Sequence, residues 1–469
     1  MNGSTQVQNS VAAQHKKGWA LMRIFVKISA VPRYAYIAFS LCLSCGWLHT
    51  ICQERAQADS ADYYKADYFR YEDRVYMEGI ASVLLHRAGW PLSDPLIELN
   101  KGDRLLLSFD DLRGYLRDFG YTIIHCDAAW RPSNLLAAEY ISGLPEDYIV
   151  DYKYSRNTRQ KYVHYSLSIP NDNMTPAISG NYLLKVYLAD QPDSLVLSRR
   201  FMVFESKVDV TARIGPASTV SDRFYKQEVD FNIRWDKYML SNPYQDLHVV
   251  LMQNHRWDNA ITGLQPVFVK DRELVYDFDR DNVFPGGNEF RFFDIKDLRY
   301  QSEGIDSIRR GRENHVYLEP DVKRSFKVYL DKPDINGRRF IKTDDRFTDS
   351  EVDADYTWVH FYLEHPGPLL SGDIYVFGEL TGWHLSREGR MKYDTQKRMY
   401  SCALYLKKGY YNYAFALSTD RSNAPDLTAL EGSHYEAENE YSILVYHRQV
   451  GGSYDRLVAA ETFSTKKKN

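Results

Sequence analysis

The side chains able to do covalent or acid–base chemistry are not arranged in any familiar catalytic pattern. The chain has no Gly-x-Ser-x-Gly elbow, phosphate-binding Gly loop, Gly-x-Gly-x-x-Gly turn or His-Glu-x-x-His pair. No His/Cys cluster has the spacing of a zinc site. His360 and His365 are five residues apart in an expected strand, so their side chains face opposite ways. Two acidic runs offer hard oxygen ligands. Asp277, Asp279 and Asp281 alternate like the first ligands of a calcium loop, but Asn282 replaces the turn glycine and Asn288 the bidentate glutamate. Asp349, Glu351, Asp353 and Asp355 also lack the glycine. The readings taken are a polar strand face and a solvated linker. A carboxylate pair suited to glycoside hydrolysis is the enzymatic alternative, set against the reading of these plentiful acids as surface charge. No catalytic residue, metal ligand or cofactor site is assigned, and the expectation is a protein that is not an enzyme.

The elements available to position side chains are strands. Aromatic residues make up 14 % of the 469 residues, 37 of them Tyr, and cysteine is scarce at 5. The net charge of −4 leaves no electrostatic footprint for nucleic acid. No small-molecule substrate is expected. Basic residues up to Arg33 precede an apolar run from Tyr34 to Leu48, and Ala56-Gln57-Ala58 follows. At roughly fifteen residues the run suits a signal-peptide core and is shorter than the about twenty a bilayer span needs. Cleavage is expected after Ala58, with residues 1–58 a signal peptide and its extension, and either Met1 or Met22 the start. Ser44 before Cys45 admits a lipid attachment, although Cys42 and Leu43 fit such a box poorly. Cys126 and Cys402 remain, too far apart for a disulfide framework, which suits a bacterial envelope.

Short alternating runs separated by Gly, Asn, Asp and Pro then predict an all-β chain of three tandem Ig-like or β-sandwich modules. The first covers 59–205 and ends in a hairpin from Ser179 to Glu205. The second covers 206–330, closed by Phe326 to Leu330. A polar linker, 331–355, leads to a third module over 356–469, closed by Glu440 to His447. The best short helical candidate is Leu135 to Tyr140.

Two stretches point to binding. Gly378 to Trp383 followed by Lys408-Gly409-Tyr410-Tyr411-Asn412-Tyr413-Ala414-Phe415 resembles glycogen-binding Ig-like modules, in which exposed aromatics stack on sugars. This resemblance implies Trp383, Tyr411 and Tyr413 as carbohydrate contacts of an exported protein, the alternative being a Trp-capped, Tyr-packed core. The second stretch is Phe284 to Arg299, with a Pro285-Gly286-Gly287-Asn288 turn before dense aromatic and charged alternation. It holds no His, Cys, Ser or Thr, so it suits packing and recognition.

Together with Ser179-Gly180-Asn181-Tyr182-Leu183-Leu184-Lys185-Val186-Tyr187, Gly409 to Tyr413, Asn439 to Tyr446 and Tyr454 to Leu457, this block resembles the type IX secretion system plug proteins of Bacteroidetes. The resemblance implies a non-enzymatic subunit on the periplasmic side of the outer membrane. It would close the very large secretion barrel, its partner, when no cargo occupies it. Phe284, Asn288, Arg291, Phe292 and Asp294 then have two readings: a lock within and between modules, which is favoured, or a contact with the barrel rim.

Overall fold

A computed structural model describes residues 68–344, 347–419 and 422–466. The expected leader, with its cleavage site, Cys45 and alternative starts, lies outside the described residues. Almost every alternating run becomes a strand: Phe119–Cys126, Gly180–Leu188, Gln191–Phe204, Leu247–Gln253, Tyr356–Glu364, Asp373–Phe377 and Gly409–Thr419 match their expected positions closely. The helical candidate shrinks to one turn, Ala137–Tyr140, where the Glu139 carboxylate accepts the Leu136 N–H at 2.6 Å.

The strands form three sandwiches, and chain order does not delimit them. In the first, the sheet of Phe119–Cys126, Gly180–Leu188 and Gln191–Phe204 faces the sheet of Ile80–Arg87, Leu105–Asp111, Val163–Ile169 and Asp151–Tyr154. Between them lies an apolar core that includes Phe109, Phe119, Tyr165, Tyr182 and Phe201. The expected terminal hairpin is present, with Tyr182 opposite Phe201.

The second sandwich differs from expectation. Asp209–Pro216, Lys226–Arg234 and Glu273–Tyr276 form one sheet. The other pairs Leu247–Gln253 with Glu440–His447, and that strand with Arg456–Ser464. The two C-terminal strands therefore complete the second sandwich rather than the third, and share one core with Val229, Phe231, Ile233 and Phe284. Phe326 to Leu330 does not close it: this segment is irregular, with Phe326, Val328 and Leu330 exposed.

The third sandwich begins earlier than expected and is inserted into the second. Its central strand, Gly409–Thr419, pairs with Arg291–Asp294, Arg339–Ile341 and Asp373–Phe377. The facing sheet holds Ile305–Arg309, His315–Leu318, Tyr356–Glu364 and Met399–Lys407. Residues 331–355 are thus not a free linker. They carry the strand Arg339–Ile341 and a turn of helix, Ser350–Asp353, and Asp353 accepts from Arg156 of the first sandwich at 3.0 Å. Strand alternation specifies a buried face but not which sheet receives it; the pairing partner, nearly two hundred residues away, decides that.

Residues 69–469 cluster as one unit, and the contacts explain why. Cys126, Trp130, Leu183 and Met202 of the first sandwich pack on Val250, Met252, Leu444 and Tyr446 of the second. Between first and third lies a buried polar lock. Asp110, fully buried, accepts from Lys407 Nζ at 2.7 Å and the Tyr356 hydroxyl at 2.6 Å, and its other oxygen is 2.7 Å from His164 Nδ1. Burial alone would raise the Asp110 carboxyl, but Lys407 and His164 outweigh it and hold it below its usual range.

Candidate functional site: the crossing between sandwiches

Phe284 to Asp294 is where the chain leaves the second sandwich and enters the third. Val283–Pro285 pairs with Lys226–Arg234 on one side of the crossing. Arg291–Asp294 pairs with Gly409–Thr419 on the other. The return crossing, Glu431 to Asn439, lies against it. The His434 N–H donates to the Gly287 carbonyl at 2.8 Å, and Asn288 Nδ2 to the Glu431 carbonyl at 2.9 Å. The glycines are required here. A Cβ on Gly286 would stand 2.0 Å from the His434 carbonyl oxygen, and Gly287 has φ +70°. Two irregular segments buried side by side must find partners for their backbone groups. Buried amides supply them: Gln227 Nε2 donates to the Tyr435 and Ala437 carbonyls, Gln253 Nε2 to Pro285, and Asn439 Nδ2 to Gly286.

Arg291 organises the far side of the crossing. Its Nε and Nη2 each donate to the Glu431 carboxylate at 3.0 Å, Nη2 to the Val322 carbonyl at 2.8 Å, and Nη1 to Asp321. Glu431 also accepts from Arg324 Nε and the Phe415 N–H, both at 2.8 Å. Burial opposes ionisation of Glu431, but Arg291 and Arg324 prevail and keep it below the usual range. Among the described residues Glu289 has no such cation. Burial pushes it up to about 7, with its Oε1 accepting the Tyr329 hydroxyl and the Glu438 N–H.

Of the five expected contact residues, Phe284 is in the second core, against Tyr441 at 5.4 Å between ring centroids, and Arg291 is in the buried cluster. Asn288, Phe292 and Asp294 are part-exposed. Phe292 stacks on Tyr410 beneath Lys332, and Asp294 pairs with Lys296 at 3.1 Å. The carbohydrate alternative meets a different geometry. Tyr411 and Tyr413 are 1 % and 4 % exposed, within the third core. Tyr411 stacks on Phe293, and the Tyr413 hydroxyl donates to Asp321 at 2.7 Å. Trp383, with φ +60°, meets Phe290 and Phe377 edge-on at the sandwich junction.

Sequence reasoning missed Glu431, Gln227, Asn439 and Lys407. Their burial is set by partners far away in the chain, and no local spacing marks them. Among the described residues, Glu228, Asp230 and Asp277 bring carboxylate oxygens within 4.8 Å of one another. Only Asp277 belongs to the calcium-like run. Glu228 already accepts the Ser218 N–H and hydroxyl, and burial raises Asp230 to about 6. Cys126 and Cys402 are free thiols, pushed up to about 12 by burial. Among the described residues no helix is long and apolar enough to cross a membrane.

The fold and the crossing define a β protein built of three interlocked sandwiches, in which the buried polar groups around the crossing hold the architecture. A family model described as the type 9 secretion system plug protein first domain matches residues 80–205, which span the first sandwich. A crystal structure of a hypothetical protein from Parabacteroides merdae ATCC 43184 superposes with a TM-score of 0.82 at 32 % identity. The match covers 85 % of this chain and all of that one. No curated protein matches the chain. The chain belongs to the type IX secretion system plug protein family.

Proposed function

We propose that this protein is a non-enzymatic plug that seals the periplasmic side of the type IX secretion outer-membrane barrel until cargo displaces it. The observation that carries this reading is the family match over the first sandwich. The architecture supports it. Three sandwiches joined by a shared apolar core, a buried ion pair and a double crossing make a stiff body, as closing a wide pore requires. Phe326, Val328 and Leu330, 76 %, 92 % and 72 % exposed, place three apolar side chains in one short irregular segment. Clustered exposed apolar groups mark contact surfaces for partners. On this reading Phe284 to Arg299 acts through the architecture, and of its five expected contacts the part-exposed Asn288, Phe292 and Asp294 are the ones able to reach the barrel.

The test is affinity purification of the tagged protein from envelope. Co-purification with a very large outer-membrane barrel is the expected result. Recovery of the protein alone, with Trp383-dependent retention on α-glucan beads, would sink the reading. Deleting the protein is also expected to raise entry of a bulky dye or antibiotic; unchanged entry argues against a seal.

A further inference from the structure

A cavity of about 130 Å³ lies where all three sandwiches meet. Arg199 and Arg200 reach it from the first, His255 from the second, and Arg338 and Arg339 from the third. Against these cations stand three lining carboxylates, Asp73, Asp94 and Glu379. Asp94 is already taken, by Arg338 at 2.8 Å and by His255. Asp73 and Glu379 accept backbone N–H groups, of Arg200 and Arg339 respectively.

The remaining guanidiniums are held only by carbonyls. Arg199 donates to Ser198 at 2.8 Å, Arg200 to Tyr71 at 2.6 Å and Arg339 to Val83 at 2.7 Å. Among the described residues none of the three has a carboxylate within salt-bridge distance, and Arg339 Nε is buried with no hydrogen-bond partner. Burial draws Arg199 below the usual arginine range; Asp73 and Glu379 oppose the shift, and Arg339 nearby adds to it. Arg200 is fixed in place over the Trp130 ring at 4.5 Å. Asp73 and Glu379 offset the Arg199 charge only from beyond salt-bridge distance; guanidiniums taken out of water without a directly paired counter-charge are unfavourable, and their planar forks match the geometry of oxyanions. The cavity is well above the roughly 10–15 Å³ that one water needs.

We propose that this junction is a binding site for a small oxyanion, a phosphate or a carboxylate-bearing molecule, gripped by Arg199 and Arg339. Such an anion ties the first sandwich to the third at the point where the second also meets them, so its binding stabilises the whole body. The site does not depend on the plugging role.

The experiment is calorimetric titration of the purified full chain with inorganic phosphate, and separately with malonate, at constant ionic strength balanced by chloride. Expected are saturable one-site binding by at least one of the two, and a melting temperature that rises with that anion but not with chloride. Whichever binds more tightly identifies the anion class. Arg339→Gln is expected to weaken binding by about tenfold, the worth of one charge-assisted hydrogen bond, and Arg339→Lys by less. Absence of saturable heat with both anions overturns the proposal, as does unchanged affinity in a folded Arg339→Gln protein. Should that variant fail to fold, the titrations of the unaltered chain decide alone.

Discussion

Arg291→Met isolates the contribution of the crossing. The guanidinium side chain is 8 % exposed and Glu431 only 3 %. Breaking a buried pair by removing one partner costs about 3–5 kcal/mol, because the other charge stays buried. Glu431 retains Arg324 and the Phe415 N–H, each at 2.8 Å, and Asp321 retains the Tyr413 hydroxyl. The expected loss is therefore toward the lower end, about 3 kcal/mol at pH 7. The sign of its pH dependence follows from Glu431. A carboxyl held below its usual 4.5 contributes stability that is full above that value and is lost as pH falls through the folded one. The deficit of Arg291→Met should thus be complete at pH 7 and shrink under acid. Asp321, already raised by burial, moves up further without its cation, so the shrinkage begins at a higher pH than Glu431 alone would set. Urea unfolding followed by circular dichroism at pH 7 and pH 4 measures both quantities. A loss below about 1 kcal/mol, or a deficit equal at the two pH values, would refute a buried charge-pair role for Arg291.

Three further substitutions probe neighbouring features. Glu289 is raised from 4.5 to about 7, so folding stability includes a term that falls as pH rises through that window; Glu289→Gln should flatten the pH–stability curve between those values. Gly286→Ala drives a methyl into the His434 carbonyl and should cost about 2–3 kcal/mol, read as a lower melting temperature. Lys407→Met leaves Asp110 buried without its ammonium partner. It should cost about 3–5 kcal/mol, with faster amide exchange on both faces of the first–third interface; exchange confined to the third sandwich would contradict a lock there.

Much of the local structure was legible in the amino-acid order. Leu247–Gln253 and Glu440–His447 form strands over the expected residues, because β-branched and aromatic runs bounded by turn residues have few other stable conformations. The Pro-Gly-Gly-Asn turn was recognisable for the same kind of reason: its backbone angles and close approaches leave little choice of residue. Family resemblance was legible too: it was read from blocks that include the Pro-Gly-Gly-Asn turn, while the family model itself matches residues 80–205. The assembly of the strands was not. Glu440–His447 pairs with Leu247–Gln253 and not with the strands of the third sandwich that come just before it, and nothing in its alternation distinguishes the two sheets. Tyr411 and Tyr413 could have been read as a sugar platform until the register placed them against Phe293 and Asp321. Arg291 became a structural cation only when Glu431, 140 residues later, came back to meet it. Local side-chain chemistry determined which segments became strands and turns. Long-range pairing, which depends on loop closure and on the partner's buried face, decided that the third sandwich is inserted in the second, and that Phe284 to Asp294 is the crossing between them.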